Sequence, residues 1–155
     1  MDKENLKVHF SSSSDGWETP QDLFDELNQR FRFSLDPCAT KENAKCKKFY
    51  TKKEDGLSQD WEGRSVFMNP PYGREISKWI KKAFDEHLLG AIVVCLIPAR
   101  TDTKYWHEFI FPYAHSIKFI KGRLKFGGHK NSAPFPSAIV VFAKTEKGKY
   151  IGEYK

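Results

Sequence analysis

The chain predicts an α/β architecture, with helices on both faces of a sheet and a ligand crevice at the carboxyl ends of its strands. Three observations predict it. Ala91 to Ile97 is a continuous apolar run of strand length, as expected of a strand covered on both faces in a parallel sheet, and Pro98 ends it. Ile76, Trp79, Ile80, Ala83 and Phe84 recur at the spacing of an amphipathic helix. Helical and strand-like stretches alternate along the rest of the chain, with no internal repeat.

Residues 1–15 are polar and include Ser11-Ser12-Ser13-Ser14, too little apolar surface to offset the entropy of ordering, so they read as a flexible arm. Structure begins at Trp17-Glu18-Thr19-Pro20, where Thr19 suits a helix cap and Pro20 the first turn. Leu23, Phe24, Leu27 and Phe31 follow at helical spacing. Phe33 to Leu35 reads as a short strand stopped by Asp36-Pro37. From Lys41 to Lys53 the chain is basic and partly aromatic, the usual composition of a solvated face. Ser65 to Met68 is a strand running into Asn69-Pro70-Pro71-Tyr72-Gly73 and then the amphipathic helix. Thr103 to Phe111 suits a helix, and Ser116 to Ile120 and Ser137 to Phe142 suit strands. The loop between those two carries no helix, so they are expected to form an antiparallel edge. One domain over 16–145 and a C-terminal tail over 146–155 complete the expectation.

At 155 residues, 39% hydrophobic and 15% aromatic, the chain can bury one sizeable core but not two comfortable domains. Twenty-six Lys and Arg against 20 acidic residues give a charge of +6, which favours a polyanionic partner such as nucleic acid. Cys38, Cys46 and Cys95 form no C-x-x-C pair and read as reduced thiols rather than a disulfide framework or zinc site. His9, His87, His107, His115 and His129 lack metal-ligand spacing, and no metal is assigned. The N-terminus lacks an apolar signal region, and the longest apolar run falls well below the roughly 20 residues of a membrane span, so a soluble, intracellular protein without membrane contact is expected. Monomer and homodimer both stay open.

Asn69-Pro70-Pro71-Tyr72 sits where chemistry is expected, directly after a strand. An exocyclic amine on a purine is a poor nucleophile because its lone pair is delocalised into the ring. Two acceptors aimed at its N–H bonds would hold the nitrogen more pyramidal and free that lone pair. The Asn69 side-chain carbonyl and the Pro70 backbone carbonyl fit the need, and the successive prolines Pro70 and Pro71 restrict the backbone that directs the second. Tyr72 offers a flat face for an extruded base, a contact worth about 1–3 kcal/mol. Turn-forming residues alone would also explain the tetrapeptide.

Together with Asn69-Pro70-Pro71-Tyr72-Gly73, the segments Trp17-Glu18-Thr19-Pro20, Leu35-Asp36-Pro37-Cys38-Ala39, Asp55-Gly56-Leu57 with Asp60-Trp61, Leu96-Ile97-Pro98-Ala99-Arg100, Gly122-Arg123-Leu124-Lys125-Phe126 and Ala133-Pro134-Phe135-Pro136-Ser137 resemble the phage-type DNA N-6-adenine methyltransferases. The resemblance covers Trp17 to Phe142 and is specific, because separated motifs occur in one order. It implies a Rossmann-like methyltransferase fold with a mostly parallel sheet, S-adenosylmethionine as methyl donor, adenine in DNA as acceptor, and a phage or prophage protein working in the cytoplasm of a bacterial host.

The resemblance also implies roles. Trp17, Thr19 and Pro20 would hold the methionine part of the cofactor, although a plain helix start accounts equally for Thr19 and Pro20. Asp36 takes the acidic place at the end of the family's first strand, where it would balance the cofactor's positive charge, with Pro37, Cys38 and Ala39 after it. The glycines usual in that loop are missing, and a backbone without glycine has fewer ways to approach a ligand. Asp55 would accept from the cofactor's adenine amine, with Asp60 as its rival, Leu57 would pack on the ring, and Asn69 would contact the cofactor as well as the acceptor. Arg123, Lys125, His129 and Lys130, in a loop with Gly127-Gly128, would contact phosphates or base edges. Arg100 would face DNA, or act in a cap or salt bridge.

The expected reaction is direct in-line transfer without a covalent enzyme intermediate, since Pro37-Cys38 sits on the cofactor strand and not where a cytosine C5 nucleophile would stand. Two alternatives remain at this point. The same tetrapeptide serves enzymes acting on guanine in RNA or on glutamine in proteins, and a DNA-binding relative without catalysis would keep the fold. Ala at Asn69 or Tyr72 is expected to remove transfer while sparing the fold and cofactor binding.

Overall fold

A computed structural model describes residues 16–144 together with the backbone of 150–154. The arm expected over 1–15 lies outside the described residues. Helix α1 (Gln21–Phe31) forms where Leu23, Phe24 and Leu27 share one buried face. Its N-cap is Pro20, whose carbonyl accepts from Phe24 N–H at 3.1 Å, and no side chain caps it. The expectation of a Thr19 cap is therefore corrected: that hydroxyl is engaged 50 residues away, with Asn69. The helix ends at Arg32 in the left-handed region (φ 50°), whose N–H bonds Asn28 O, while Asn28 Oδ1 accepts from Phe33 N–H.

Phe33 to Leu35 runs beside strand β1 (Ser65–Met68) but pairs only as a parallel bridge, Leu35 with Val66. At Asp36 the backbone changes partner and bridges to Phe49, so the expected strand is cut short. Helix α2 (Ile76–Leu88) follows β1, and strand β2 (Ile92–Pro98) follows α2. The helix expected over Thr103 to Phe111 is present and contains a π-helical segment, Trp106–Ile110, that runs straight into the short helix α3 (Phe111–Tyr113). Strands β3 (Ser116–Ile120) and β4 (Ser137–Phe142) have the expected bounds. Tyr150–Tyr154, within the stretch set apart as a tail, forms β5.

The sheet order is β1-β2-β4-β3-β5. Pairs β1–β2 and β3–β5 are parallel, while β2–β4 and β3–β4 are antiparallel, so the sheet is mixed. This corrects the expectation of a mostly parallel sheet with an antiparallel edge. The reversed strand, β4, lies inside the sheet and is buried along its whole length, whereas β5 pairs beyond β3. The physical reason lies in the connection: residues 121–136 hold no crossover helix, so the chain returns antiparallel, and a return strand apolar from Ala138 to Phe142 belongs in the interior.

Paired residues share a face and successive residues alternate. Phe67 therefore shares a face with Val94 and Val141, and Phe142 lies on the other. Phe24 of α1 meets the Phe67 ring at 5.2 Å, and Phe84 of α2 meets Phe142 at 6.4 Å. The two helices thus cover opposite faces. Trp106 stacks on Phe119 at 6.2 Å and joins α2 on its side. Asn69, Ala99 and residues 121–136 all emerge at the end of the sheet marked by the carboxyl ends of β1, β2 and β3. Among the described residues no helix is long and apolar enough to cross a membrane.

Candidate active site

Beyond those strand ends lies a cleft of about 860 Å³, within the usual range for a small-molecule site. Its wall is assembled from the segment ahead of α1, the loops around Asp36 and Asp55, and the turn that follows β1. Trp17, Thr19, Asp36, Pro37, Cys38, Ala39, Asp55, Leu57, Asn69 and Pro71 all line it. Pro20, Pro70, Tyr72 and Asp60 do not, and neither do Arg100, Arg123, Lys125, His129 or Lys130. Lys41, Lys45, Lys52 and Lys53 line it as well, from the stretch read as a solvated face; their closeness in sequence to Asp36 and Asp55 was the signal available.

Asn69 leaves β1 with its side chain held from two sides. Its Nδ2 donates to Trp17 O at 2.6 Å and to Thr19 Oγ1 at 2.9 Å. Its Oδ1 is buried and has no hydrogen-bond partner among the described residues. Because the Trp17 carbonyl can only accept, the amide nitrogen must face it, which leaves the oxygen as the free acceptor. The Asn69 backbone carbonyl accepts from Cys38 Sγ at 3.3 Å. Burial pushes the Cys38 thiol well above its ordinary range, so this group packs and bonds rather than attacks.

Asp36 is 5% exposed, and its Oδ2 accepts from Lys45 N–H at 3.0 Å. Burial raises its pKa from 3.8 to about 6, against the lowering effect of backbone hydrogen bonds from Lys45 and Cys38 and the charge of Lys45. A cationic ligand would oppose that desolvation. The sign follows by linkage: the folded chain holds this proton more tightly than the unfolded chain between pH 3.8 and 6, so for this group stability without ligand falls as pH rises through that window. Binding of a cation favours the carboxylate. Affinity for a cationic ligand held beside Asp36 should therefore rise with pH through about 6, with protons released on binding near pH 6 and none near pH 8. Calorimetry in buffers of different ionisation enthalpy measures this, and the Asp36→Asn variant should lose it.

Asp55 has a left-handed backbone (φ 58°) and caps the 3-10 turn Gly56–Ser58 by accepting from Leu57 N–H at 3.3 Å. Its rival Asp60 is an exposed turn carboxylate that accepts from Glu62 N–H, away from the cleft. Trp61, fully buried, donates its Nε1–H to Gly56 O at 3.0 Å and ties the two motifs together. A Cβ on Gly56 would stand 2.0 Å from the Pro37 carbonyl oxygen, so the Asp55 and Asp36 loops meet only because that side chain is absent. Gly56→Ala should lower stability by about 1–3 kcal/mol, read from the midpoint of urea unfolding.

Tyr72 is 1% exposed, donates its hydroxyl to Leu96 O at 3.1 Å and lies edge-on to Phe126 and Phe135. The ring expected to receive a base is thus covered by residues of the 121–136 loop. Arg100 is exposed, yet its guanidinium donates to Tyr72 O at 3.2 Å and lies over the Phe135 ring. Arg123, Lys125 and Lys130 are exposed on the loop, and the His129 ring stacks on Trp17 at 4.3 Å. Gly127 N–H donates to Glu18 O at 2.9 Å, closing the loop onto the Gly16–Thr19 segment.

The chain matches the family model described as DNA N-6-adenine-methyltransferase (Dam) over residues 7–152. It is 34% identical over 150 residues to the DNA N-6-adenine-methyltransferase of Haemophilus phage HP1 (strain HP1c1), covering 92% of this chain and 84% of that one. With the DNA N-6-adenine-methyltransferase of Escherichia phage T1 the identity is 32% over 96 residues, covering 61% of this chain and 40% of that one. The family match spans every motif that builds the cleft, from Trp17 to Pro71, and the chain therefore belongs to the DNA N-6-adenine-methyltransferase (Dam) family.

Proposed function

We propose that this chain transfers a methyl group from S-adenosylmethionine to the N6 amine of adenine in DNA, in the cytoplasm of a bacterial host. The observation that carries the reading is the buried Oδ1 of Asn69, a residue in the wall of the cleft, which has no partner among the described residues. A buried acceptor without a partner costs about 1–3 kcal/mol, and a substrate N–H would remove that penalty. Asn69 Oδ1 and the Pro70 carbonyl accept the two N–H bonds of the adenine amine and draw its nitrogen toward a pyramidal form. The freed lone pair would form the new N–C bond as the donor's S–CH3 bond breaks and its electron pair returns to sulfur, and the surplus proton would then pass to water.

When bound, S-adenosylmethionine supplies an electrophilic methyl on a positively charged sulfur. The cleft fits it in size and in donor set: Asp36 would face the positive charge, Asp55 would accept from the adenine amine and Leu57 would pack on its ring. Trp17, Thr19, Pro37, Cys38 and Ala39 complete the wall. In this reading residues 16–145 act as one methyltransferase domain of Rossmann-like type, modified by the reversed strand β4. Arg123, Lys125, His129 and Lys130 take the DNA, with Arg100 steadying the backbone after the tetrapeptide. Tyr72 receives the extruded base once Phe126 and Phe135 have moved aside.

Offering labelled donor with DNA, RNA and protein acceptors in one mixture tests the acceptor. Label in DNA alone supports the reading; label in RNA or protein, or none anywhere, rejects it.

A further inference from the structure

The Asn69 amide is fixed by a segment about 50 residues upstream. A primary amide has two N–H bonds, and here both are used: one reaches the Trp17 carbonyl and the other the Thr19 hydroxyl. Thr19 is 4% exposed and directly precedes the Pro20 cap of α1, so its hydroxyl is free of any capping duty. Trp17 is itself anchored. Its ring stacks on His129 and lies edge-on to Phe126 and Phe135, and its neighbour Glu18 bridges to Gly127. A flipped amide would aim Oδ1 at the Trp17 carbonyl oxygen, two acceptors facing each other, so the flip is closed off.

We propose that Thr19 is a positioning residue for the reaction: its hydroxyl, with the Trp17 carbonyl, locks the Asn69 amide so that Oδ1 alone faces the incoming amine. This rests on the function proposed above and departs from a role for Thr19 in holding the cofactor. With Thr19 removed, one N–H loses its partner and the amide plane can turn about the remaining bond to Trp17. Displacing a reacting group by about 1 Å costs on the order of 10²-fold in rate.

The test uses the full chain with Thr19→Val, which keeps the side-chain shape, and Thr19→Ser, which keeps the hydroxyl. Thr19→Val should lower kcat by about 10- to 100-fold. The KM for DNA and the Kd for S-adenosylmethionine should stay within about threefold of wild type, and Thr19→Ser should recover most of kcat. A second readout needs no activity: the Asn69 side-chain amide protons, identified by NMR through their absence in Asn69→Ala, should exchange slowly in wild type and Thr19→Ser and quickly in Thr19→Val. Unchanged kcat and exchange in Thr19→Val would overturn the proposal, and so would a Kd that weakens in step with kcat. Locked amide protons in a wild-type protein that methylates no adenine would sink the reaction and leave the lock standing.

Discussion

Replacing Asn69 by Ala is expected to lower the rate of methyl transfer to DNA by about 10²- to 10³-fold, the usual effect of removing one group aimed at developing charge. The loss should fall on kcat. Among the described residues Oδ1 has no partner to lose, so under the proposed reaction its deletion withdraws an interaction made with the substrate. Asn69→Ala also strands the Trp17 carbonyl and the Thr19 hydroxyl, a stability cost of about 1–2 kcal/mol that leaves the chain folded. Single-turnover transfer with saturating donor, paired with a thermal melt, separates the two effects. Transfer within a few-fold of wild type would remove Asn69 from the chemistry.

Tyr72→Ala is expected to destabilise the fold by about 3–5 kcal/mol, as for other buried aromatic deletions. The sequence-based expectation that this change spares the fold does not survive the ring's burial against Phe126 and Phe135. Tyr72→Phe keeps the ring and loses only the bond to the Leu96 carbonyl, a cost of about 1 kcal/mol. If the ring also receives the base, Tyr72→Phe should keep most of the transfer activity. Urea unfolding of both variants measures the difference, and equal stability of Tyr72→Ala and wild type would contradict the packing.

Local pattern made much of this fold legible. Apolar runs bounded by turns placed β1, β3 and β4 at their observed limits and β2 within one residue. The buried face of α2 follows from Ile76, Trp79, Ile80 and Ala83. The apolar run Ala138 to Phe142 suits an interior strand, but strand order was not legible, because the partners of β4 on either side, and the pairing of β5 beyond β3, depend on segments distant in sequence. The cleft was read largely through motifs: Asp36, Asp55 and Asn69 stand on its wall. The position of Tyr72 was not legible, since its cover comes from Phe126 and Phe135, more than 50 residues later. Thr19 was misread for a related reason: a hydroxyl before a helix looks like a cap, and only the tertiary fold brings Asn69 to it.

The most direct test of the central claim is nucleoside analysis of unmethylated DNA after incubation with wild-type protein and S-adenosylmethionine. The account predicts N6-methyladenine as the product, absent when Asn69→Ala replaces wild type over the same interval. Methylated cytosine, or DNA left unmodified by the wild-type protein, would contradict it.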